Sequence, residues 1–328
     1  MTGTRDLLVR AVVVSWNGAH LLPACLDSLL AQDLAPGAME VVVVDNASVD
    51  GTLDLLSRAY PQVRVVVSDT NLGFAGGVAL GLAGLDARYA LLLNNDATME
   101  PDAVRRLVEH LDSPAHALVG AATAQILLTE PDPTGRTLVN STGNVLTRTG
   151  AATDRDWLAV AEAHEAAQDV FGFCGGAALL RTRALDEVGS FDPRLFLYYE
   201  DTDLSWRLRA AGWEIHYVPG AVAHHQHAAS SDAASPLFRY YNTRNSLIVF
   251  TRHAPLLVVV RSFARQVLAW VRYAAGRGEP APLLDARRRA LSDYVRLLPT
   301  TLRERRATWG GRATLRRAIY RSGLHPRA

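Results

Sequence analysis

Runs of apolar residues alternate with amphipathic segments over the first third of the chain. Four runs rich in Val and Leu, without regular polar alternation, are typical of strands covered on both faces: residues 9–14, 41–44, 63–67 and 89–93. The segments between them have apolar residues at helical spacing and lie at residues 19–31, 51–59 and 74–85. This order predicts an α/β fold with a doubly wound, mostly parallel sheet over residues 1 to about 112.

Polar clusters follow each of the four predicted strands. They have the sequences SWN at residues 15–17, DNAS at 45–48, SDTN at 68–71 and NND at 94–96. Ligands of parallel sheets bind beyond the carboxyl ends of the strands, so the four clusters together favour a polar ligand site. Turn formation or helix capping is the better account of Ser48, Asp50 or Asp69 taken singly. Residues 128–169 have weak periodicity and are expected to form an insertion over this cleft.

Two acidic positions are candidates for chemistry. Asp96 ends an apolar run, where one carboxylate oxygen can hold a hard divalent cation while water and phosphate fill the remaining positions, and capping of the following helix is the lesser alternative. In the cluster of Glu200, Asp201 and Asp203, an i,i+4 pair with Arg207 gives Asp203 a structural role. Asp201 follows an apolar segment and is a candidate general base.

Three histidines, His224, His225 and His227, follow a strand-like stretch. Successive side chains of an extended segment point to opposite sides, so either His224 alone or His225 with His227 can face one ion. One metal ligand among them is expected, whereas this spacing does not suit a zinc site made of these histidines only.

Composition excludes several classes of enzyme. All 34 basic residues are arginine, which excludes Schiff-base chemistry and a P-loop lysine. The glycines at 73, 76 and 77 do not form a GxGxxG fingerprint, and they favour close approach of the backbone to a nucleotide or a neighbouring strand. Two cysteines and an N-terminus without a signal-peptide pattern predict a cytoplasmic location.

The formal net charge of +1 conceals an asymmetry along the chain. Residues 1–250 contain 17 arginines and 29 acidic residues, whereas residues 251–328 contain 17 arginines and 4 acidic residues. A basic segment of this kind is expected to meet an anionic membrane surface or the acidic part of the chain itself, and nucleic acid is the weaker alternative because no binding module is recognisable.

The basic segment is expected to be mainly helical and to contain no transmembrane helix, because arginines interrupt its longest apolar stretch. On a helix, Arg261, Arg265 and Arg272 form one stripe, with Phe263, Val267 and Trp270 on the other side. This pattern fits a helix at a membrane interface and fits equally a helix that packs on its own domain with arginines toward solvent.

The sequence resembles the family 2 inverting glycosyltransferases, and within them the bacterial rhamnosyltransferase-like branch. The resemblance covers the chain from about Ala11 to Phe250 and rests on seven motifs in order: VVVSWNGAHLLPACLDSLLAQD, VVVVDNASVDGT, NLGFAGG, LLLNNDATMEPDA, GGAALLRTRALDEVGSFDP, YYEDTDLSWRLRAAGW and HHQH. It implies a GT-A catalytic domain at residues 1–250 with residues 251–328 as an extension.

The resemblance also implies roles for individual residues. Asp45 is expected to contact the base of the nucleotide, and further donor contacts are expected from Ser15, Asn17, Asn71, Gly73, Phe74, Asn94 and Asn95. The NND motif takes the place of the family's DxD, which leaves Asp96 as the metal-binding carboxylate and removes one negative charge. His224 is expected to complete the metal site, and Asp201 resembles the catalytic base.

The implied function is transfer of a sugar from dTDP-rhamnose or a UDP-hexose to a glycan or lipid-linked acceptor in cell-envelope polysaccharide synthesis, with Mg²⁺ or Mn²⁺ as cofactor. The expected location is peripheral, at the inner face of the cell membrane. The alternative is a non-catalytic sugar-nucleotide or glycan-binding protein with the same fold. The NND motif and Ala79, where the family often has Asn, are the sequence features that favour this alternative.

Overall fold

The computed structural model describes residues 7–161, 168–226, 235–276 and 278–325. The strands are β1 (Val9–Ser15), β2 (Met39–Asp45), β3 (Arg64–Val67), β4 (Tyr89–Leu93), β5 (Ala97–Met99), β6 (Val119–Leu128), β7 (Val139–Ser141), β8 (Asn144–Leu146), β9 (Ala152–Asp154), β10 (Gln168–Asp169), β11 (Ala177–Arg181) and β12 (Glu214–His225). The helices are α1 (Leu22–Leu30), α2 (Thr52–Ala59), α3 (Gly73–Gly81), α4 (Ala103–Asp112), α5 (Thr182–Val188), α6 (Glu200–Ala211), α7 (Pro236–His253), α8 (Leu256–Ala274), α9 (Ala281–Trp309) and α10 (Ala313–Ser322).

Most of the strands form one mixed sheet with the order β10-β12-β6-β11-β4-β1-β2-β3. The four strands predicted from the apolar runs are neighbours and run parallel, so this part of the prediction is confirmed. β11 is antiparallel to both β4 and β6, and β12 is parallel to β6. The sheet therefore joins a parallel half to a mixed half that the first third of the sequence does not predict.

Helices cover both faces of the sheet. Leu26 of α1, Leu56 of α2 and Leu107 of α4 belong to the core on one face. On the other face α3, α5 and α6 contribute apolar side chains to a second core. Gly77 of α3 lies so close to β1 that a Cβ there would come within 2.5 Å of Val14. Gly77 thus permits the close approach of α3 to β1. This is one of the two roles expected for these glycines, the other being close approach to a nucleotide.

The C-terminal helices pack on the same body through a third core. Trp206 of α6 lies in it together with Phe250 of α7, Trp309 of α9 and Tyr320 of α10. The boundary predicted at residue 250 falls inside α7, which continues to His253. Burial of these large side chains between residues 1–250 and residues 251–328 stabilises both parts of the chain, because apolar area removed from water contributes about 25 cal/mol per Å².

Helix α8 buries its apolar side against the protein and exposes its arginine stripe. Phe263, Val267 and Trp270 pack against the third core, while Arg261 and Arg265 are exposed. The apolar side predicted for a membrane interface is therefore occupied by the protein itself, in agreement with the packed alternative. None of the described helices is both long and apolar enough to cross a bilayer.

Candidate active site

The carboxyl ends of β1, β2 and β4 bring Ser15, Asp45 and Asn95 together. Ser15 pairs with Asp45 in the register of β1 and β2, and the Asn95 amide nitrogen lies 3.4 Å from Ser15 Oγ. All three side chains are buried. Gly18 closes this corner, because a Cβ there would lie 2.4 Å from the Asn95 amide nitrogen. The structure therefore gathers these three predicted site residues at one edge of the sheet.

Asp45 has one carboxylate oxygen that is bonded and one that is not. Oδ2 accepts a hydrogen bond of 3.3 Å from the backbone N–H of Ser48. Oδ1 is buried and has no hydrogen-bond partner among the residues that the structure describes. A buried acceptor left without a partner costs about 1–3 kcal/mol, so Asp45 is suited to accept a hydrogen bond from a ligand.

The asparagines near this edge shape the loops. Asn17 has a left-handed backbone (φ 51°), and its Oδ1 accepts a hydrogen bond of 2.8 Å from the backbone N–H of Val49. Asn71 Oδ1 accepts from the backbone N–H of Gly73 at 2.8 Å and from the Asn46 side chain at 3.1 Å. Asn46 was not among the predicted site residues, although its place directly after Asp45 could have indicated it.

Gly73 adjoins this edge through its hydrogen bonds with Asn46 and Asn71, and Phe74 leads from it toward Asp201. Gly73 has φ 68°, and a Cβ there would come within 2.3 Å of the carbonyl oxygen of Phe196, so only glycine fits. The ring of Phe74 contacts Gly175, whose backbone N–H donates to Asp201 Oδ2 at 3.2 Å. Phe74 is therefore placed on the Asp201 side of the cleft.

Asp96 and His225 form the centre of the candidate metal site. His225 Nε2 lies 3.0 Å from Asp96 Oδ1 and 3.4 Å from the Asn94 amide nitrogen. His225 Nδ1 lies 2.5 Å from Asn140 Oδ1, so the N–H on Nδ1 donates to this oxygen. In the neutral ring Nε2 is then a lone-pair acceptor that faces a carboxylate oxygen. Two acceptors at this distance are stabilised by a cation between them, and the donor set of imidazole and carboxylate fits Mn²⁺ or Mg²⁺.

The structure places His224 away from Asp96, the residue with which it was expected to complete a metal site. His224 Nε2 lies 2.8 Å from Glu100 Oε1, and His225 is the residue beside Asp96. The two histidines are consecutive on β12, so their side chains point to opposite sides of the strand. The side of the strand that faces Asp96 therefore carries His225, which belongs to one of the two arrangements that the sequence left open. His227 lies outside the described residues.

Asp201 stands in the first turn of α6 with several donors around its carboxylate. Asn144 Nδ2 donates to Oδ2 at 2.9 Å, and Thr202 donates its backbone N–H to Oδ1 at 2.6 Å. Burial raises the pKa of Asp201 above its ordinary value, and these hydrogen bonds oppose the rise. A carboxylate with a raised pKa, held in a fixed direction, is suited to accept a proton from a hydroxyl group.

A strained segment leads into Asp201. Phe196, Tyr198 and Tyr199 have positive φ values of 65°, 68° and 72°. Residues other than glycine rarely adopt this left-handed backbone conformation. Asn245 of α7 is fully buried, and its amide nitrogen donates to the carbonyl oxygens of residues 195, 197 and 198 at 2.7, 2.9 and 2.9 Å. Helix α7 thus holds the segment that aims Asp201.

A second carboxylate, Asp154, lies in the same region. It is opposite Asn144 in the hairpin of β8 and β9. Burial, together with the nearby negative charge of Asp201, raises the pKa of Asp154 to about 6. No sequence pattern indicated this residue, because its segment has no regular periodicity.

Asp203 has the structural role that the sequence predicted. Its carboxylate is buried and bonded to Arg207 at 2.9 Å, as the i,i+4 spacing indicated. Arg252 and His253 of α7 also bond to it, at 2.9 and 3.0 Å. Burial alone would raise the pKa of Asp203, but the positive charges of Arg207 and Arg252 and the hydrogen bond from His253 outweigh it and hold this pKa well below its ordinary value.

Several known proteins are similar to this chain in sequence. The chain is 31% identical over 260 residues to N-acetylglucosaminyl-diphospho-decaprenol L-rhamnosyltransferase of Mycobacterium tuberculosis. This alignment covers 73% of this chain and 82% of the relative. It is 27% identical to galactofuranosyltransferase GlfT1 of Mycolicibacterium smegmatis, over 71% of this chain and 75% of the relative.

Solved glycosyltransferases have the same architecture. The Pyrobaculum calidifontis mannosyltransferase PcManGT, solved with GDP-Man and Mn²⁺, aligns with a TM-score of 0.51 at 19% identity over 93% of this chain and 75% of its own. Residues 1–349 of S. aureus TarS align with a TM-score of 0.55 at 14% identity, over 96% of this chain and 89% of that one. The GT-A fold expected from the resemblance is thereby confirmed, and the sequence profile described as "Glycosyl transferase family 2" matches residues 11–189. The chain therefore belongs to glycosyl transferase family 2 and is a glycosyltransferase.

Proposed function

We propose that this enzyme transfers a sugar, with inversion at the anomeric carbon, from a nucleoside diphosphate to a lipid-linked acceptor at an anionic membrane surface. The observation that carries the proposal is the link between Asp201 and the NND motif through two consecutive glycines. Gly175 donates its N–H to Asp201, and the carbonyl of Gly176 accepts the backbone N–H of Asn94 at 3.0 Å. One short loop therefore fixes the base beside the metal-binding motif.

Asp45 supports a pyrimidine nucleotide as the donor. Uracil and thymine each present an N3–H, and the free Oδ1 of Asp45 is a buried acceptor for such a donor. Ser15 and Asn95 lie beside it and offer further polar contacts. These features favour dTDP-rhamnose or a UDP-hexose, and the M. tuberculosis relative is named for rhamnosyl transfer.

Asp96 and His225 would hold the divalent cation, with Asn94 beside them. When bound, the cation would offset the negative charge that develops on the departing diphosphate. The NND motif supplies one carboxylate fewer than DxD, and His225 contributes a neutral ligand whose orientation Asn140 fixes.

Asp201 performs the proton transfer in this proposal. Its carboxylate accepts the proton of the acceptor hydroxyl as that oxygen forms a bond to the anomeric carbon. The bond from the anomeric carbon to the diphosphate oxygen breaks on the opposite face, and the electron pair leaves with the nucleoside diphosphate. Configuration inverts in this single displacement, and a positioned base contributes about 10²–10⁴ to its rate.

A basic groove between α8, α10 and the loop at Arg148 supports a lipid-linked acceptor. The groove has a volume of about 900 Å³, and arginines 148, 261, 316, 317 and 321 line it together with apolar side chains. No carboxylate occurs among its described lining residues. Arg148 lies four residues after Asn144, so an extended acceptor could reach from the groove to Asp201.

Charge repulsion within the groove indicates an anionic occupant. Burial and the neighbouring Arg317 lower the pKa of Arg316, and its Nε is buried without a hydrogen-bond partner among the described residues. A diphosphate would neutralise this charge, while the apolar lining suits an adjacent lipid chain. Along α8 the exposed side chains of Leu257, Val260 and Leu268 continue the apolar surface beside exposed arginines, which is the composition of a peripheral membrane contact.

The test is a transfer assay with a panel of pyrimidine nucleotide sugars and polyprenyl-diphosphate acceptors, in which NMR reads the anomeric configuration of the product. We expect inversion, dependence on Mn²⁺ or Mg²⁺, and a loss of about 10²–10⁴ in kcat for Asp201→Asn with nucleotide binding retained. Undiminished turnover by Asp201→Asn would contradict the assignment of the base. Nucleotide binding without turnover on every acceptor would favour the non-catalytic binding protein.

A further inference from the structure

Three histidines meet at the end of the sheet opposite the cleft. His110 lies in the last turn of α4, His116 ends the 3₁₀ helix Pro114–His116, and His216 lies near the start of β12. His216 lies opposite Ala122 of β6, and the cleft residue His225 lies opposite Leu128, which is six positions or about 20 Å further along that strand. The cluster is therefore distinct from the site at Asp96.

The ring nitrogens of the cluster lie close to one another. One nitrogen from each ring lies within 4.8 Å of the other two. His110 Nε2 and His216 Nδ1 are 2.9 Å apart, and the rings of His110 and His116 stack at 3.9 Å between centroids. Three ligands around a tetrahedral Zn²⁺, each at 2.0–2.1 Å, have nitrogen atoms roughly 3.3 Å apart, so the nitrogens are already near this spacing and binding requires the stacked rings of His110 and His116 to rotate toward the ion.

Acceptors outside the cluster orient two of the rings. His216 Nε2 lies 3.1 Å from Glu214 Oε2, and His116 Nδ1 lies 2.8 Å from the backbone carbonyl of His110. A proton on each of these outer nitrogens leaves His216 Nδ1 and His116 Nε2 with lone pairs, and the His216 lone pair accepts a hydrogen bond from His110 Nε2–H at 2.9 Å, a proton that a metal ion would displace. A carboxylate or carbonyl that receives the outer N–H of a histidine is the usual second shell of a metal site.

We propose that His110, His116 and His216 bind one Zn²⁺ that links α4, the turn after it and the first residues of β12. Three imidazoles without a first-shell carboxylate suit a borderline-soft ion such as Zn²⁺ and do not suit Mg²⁺ or Ca²⁺, which prefer oxygen ligands. Glu214 acts as the carboxylate behind His216. A water molecule or an added ligand completes the tetrahedral shell.

The test measures zinc binding to the full chain, stripped of metal, by competition with a chromophoric chelator. The Asp96→Asn background removes the cleft carboxylate, and in it we expect one equivalent of Zn²⁺ to remain bound. Adding His116→Ala should weaken this binding at least 100-fold, whereas adding His20→Ala, an exposed histidine, should leave it unchanged. Equal zinc affinity with and without His116, or loss of all binding with Asp96→Asn, would overturn the proposal.

Two further measurements cover the case in which a variant folds poorly. Co²⁺ added to the Asp96→Asn protein should give the intense visible absorption of a tetrahedral complex, and a weak octahedral spectrum would contradict the site. Zinc at about a hundredfold excess over its Kd should raise the Tm of this protein by roughly 5 °C, and the His116→Ala protein should show no such rise.

Discussion

Asn144 donates a hydrogen bond of 2.9 Å from its side-chain amide to the Oδ2 atom of Asp201. This bond stabilises the ionised carboxylate and lowers the pKa of Asp201, in opposition to burial. The Asn144→Ala variant should therefore raise the pKa of Asp201 further. Because the base must be ionised to accept a proton, the acid limb of the pH profile of kcat/KM should move to higher pH.

The control for this prediction is Thr153→Ala, an exposed position on the neighbouring strand of the same hairpin. Its pH profile should match that of the unmodified enzyme. An acid limb that stays in place in Asn144→Ala would show that Asp201 does not set it.

Asn245 should control the rate through the backbone before Asp201. In Asn245→Ala three carbonyl oxygens lose their common donor, and the strained segment at residues 196–199 is free to relax. A displacement of the base by about 1 Å costs on the order of 10² in rate, so kcat should fall by that factor. KM for the nucleotide sugar should change little, and steady-state kinetics separates the two. An equal rise in KM would instead place Asn245 in donor binding.

Asp45→Asn should weaken nucleotide binding without loss of stability. The new amide group can present an N–H where the base of the nucleotide requires an acceptor, so Kd for UDP or dTDP should rise about 10–100-fold by calorimetry. Thermal unfolding should occur at an equal or higher temperature, because a buried carboxylate oxygen without a partner is removed. Asp69→Asn, an exposed position after β3, is the matched control and should bind nucleotide normally.

Asp203→Asn should destabilise the junction between α6 and α7. Removing this carboxylate leaves Arg252 with one buried partner fewer, and breaking a buried pair costs about 3–5 kcal/mol in the free energy of unfolding. Asp285→Asn, on the exposed side of α9, should cost less than about 0.5 kcal/mol.

The effect of Asp203 depends on pH in a defined direction. Its folded pKa is depressed, so the stabilisation is fully present above the unfolded pKa of about 3.9 and is lost as pH falls toward the folded value. The difference in unfolding free energy between the unmodified protein and Asp203→Asn should therefore shrink below about pH 4. Urea titrations at neutral and acidic pH measure it, and a constant difference would contradict the assignment.

The basic groove should govern binding to anionic vesicles. Replacing Arg316, Arg317 and Arg321 by alanine should weaken binding to vesicles of phosphatidylglycerol and phosphatidylcholine by about 100-fold, at roughly 1 kcal/mol per arginine. Replacing arginines 288, 289 and 296 of α9 removes the same charge outside the groove and should have a smaller effect. Equal losses in both variants would indicate attraction by net charge alone.

Much of the nucleotide-binding half could be predicted from the sequence. Apolar runs specified β1 to β4, and the polar residues directly after them specified which side chains reach the cleft, because parallel strands end at a common edge. The ion pair of Asp203 and Arg207 could also be predicted from the sequence, because i,i+4 spacing on a helix brings these side chains together. Asp154 and Asn144 could not be found in this way, because a hairpin without regular periodicity carries them to Asp201.

The sequence by itself determined the family, the parallel sheet and the chemical types available to the site, since these depend on local patterns and on the order of motifs. Only the tertiary structure decided that His225 faces Asp96, because the facing side of a strand is fixed by its register with β5 and β6. It also decided that the arginine-rich segment packs on the catalytic body, and that His110, His116 and His216 meet. Contacts between residues distant in sequence depend on how elements pack, and no local pattern records that packing.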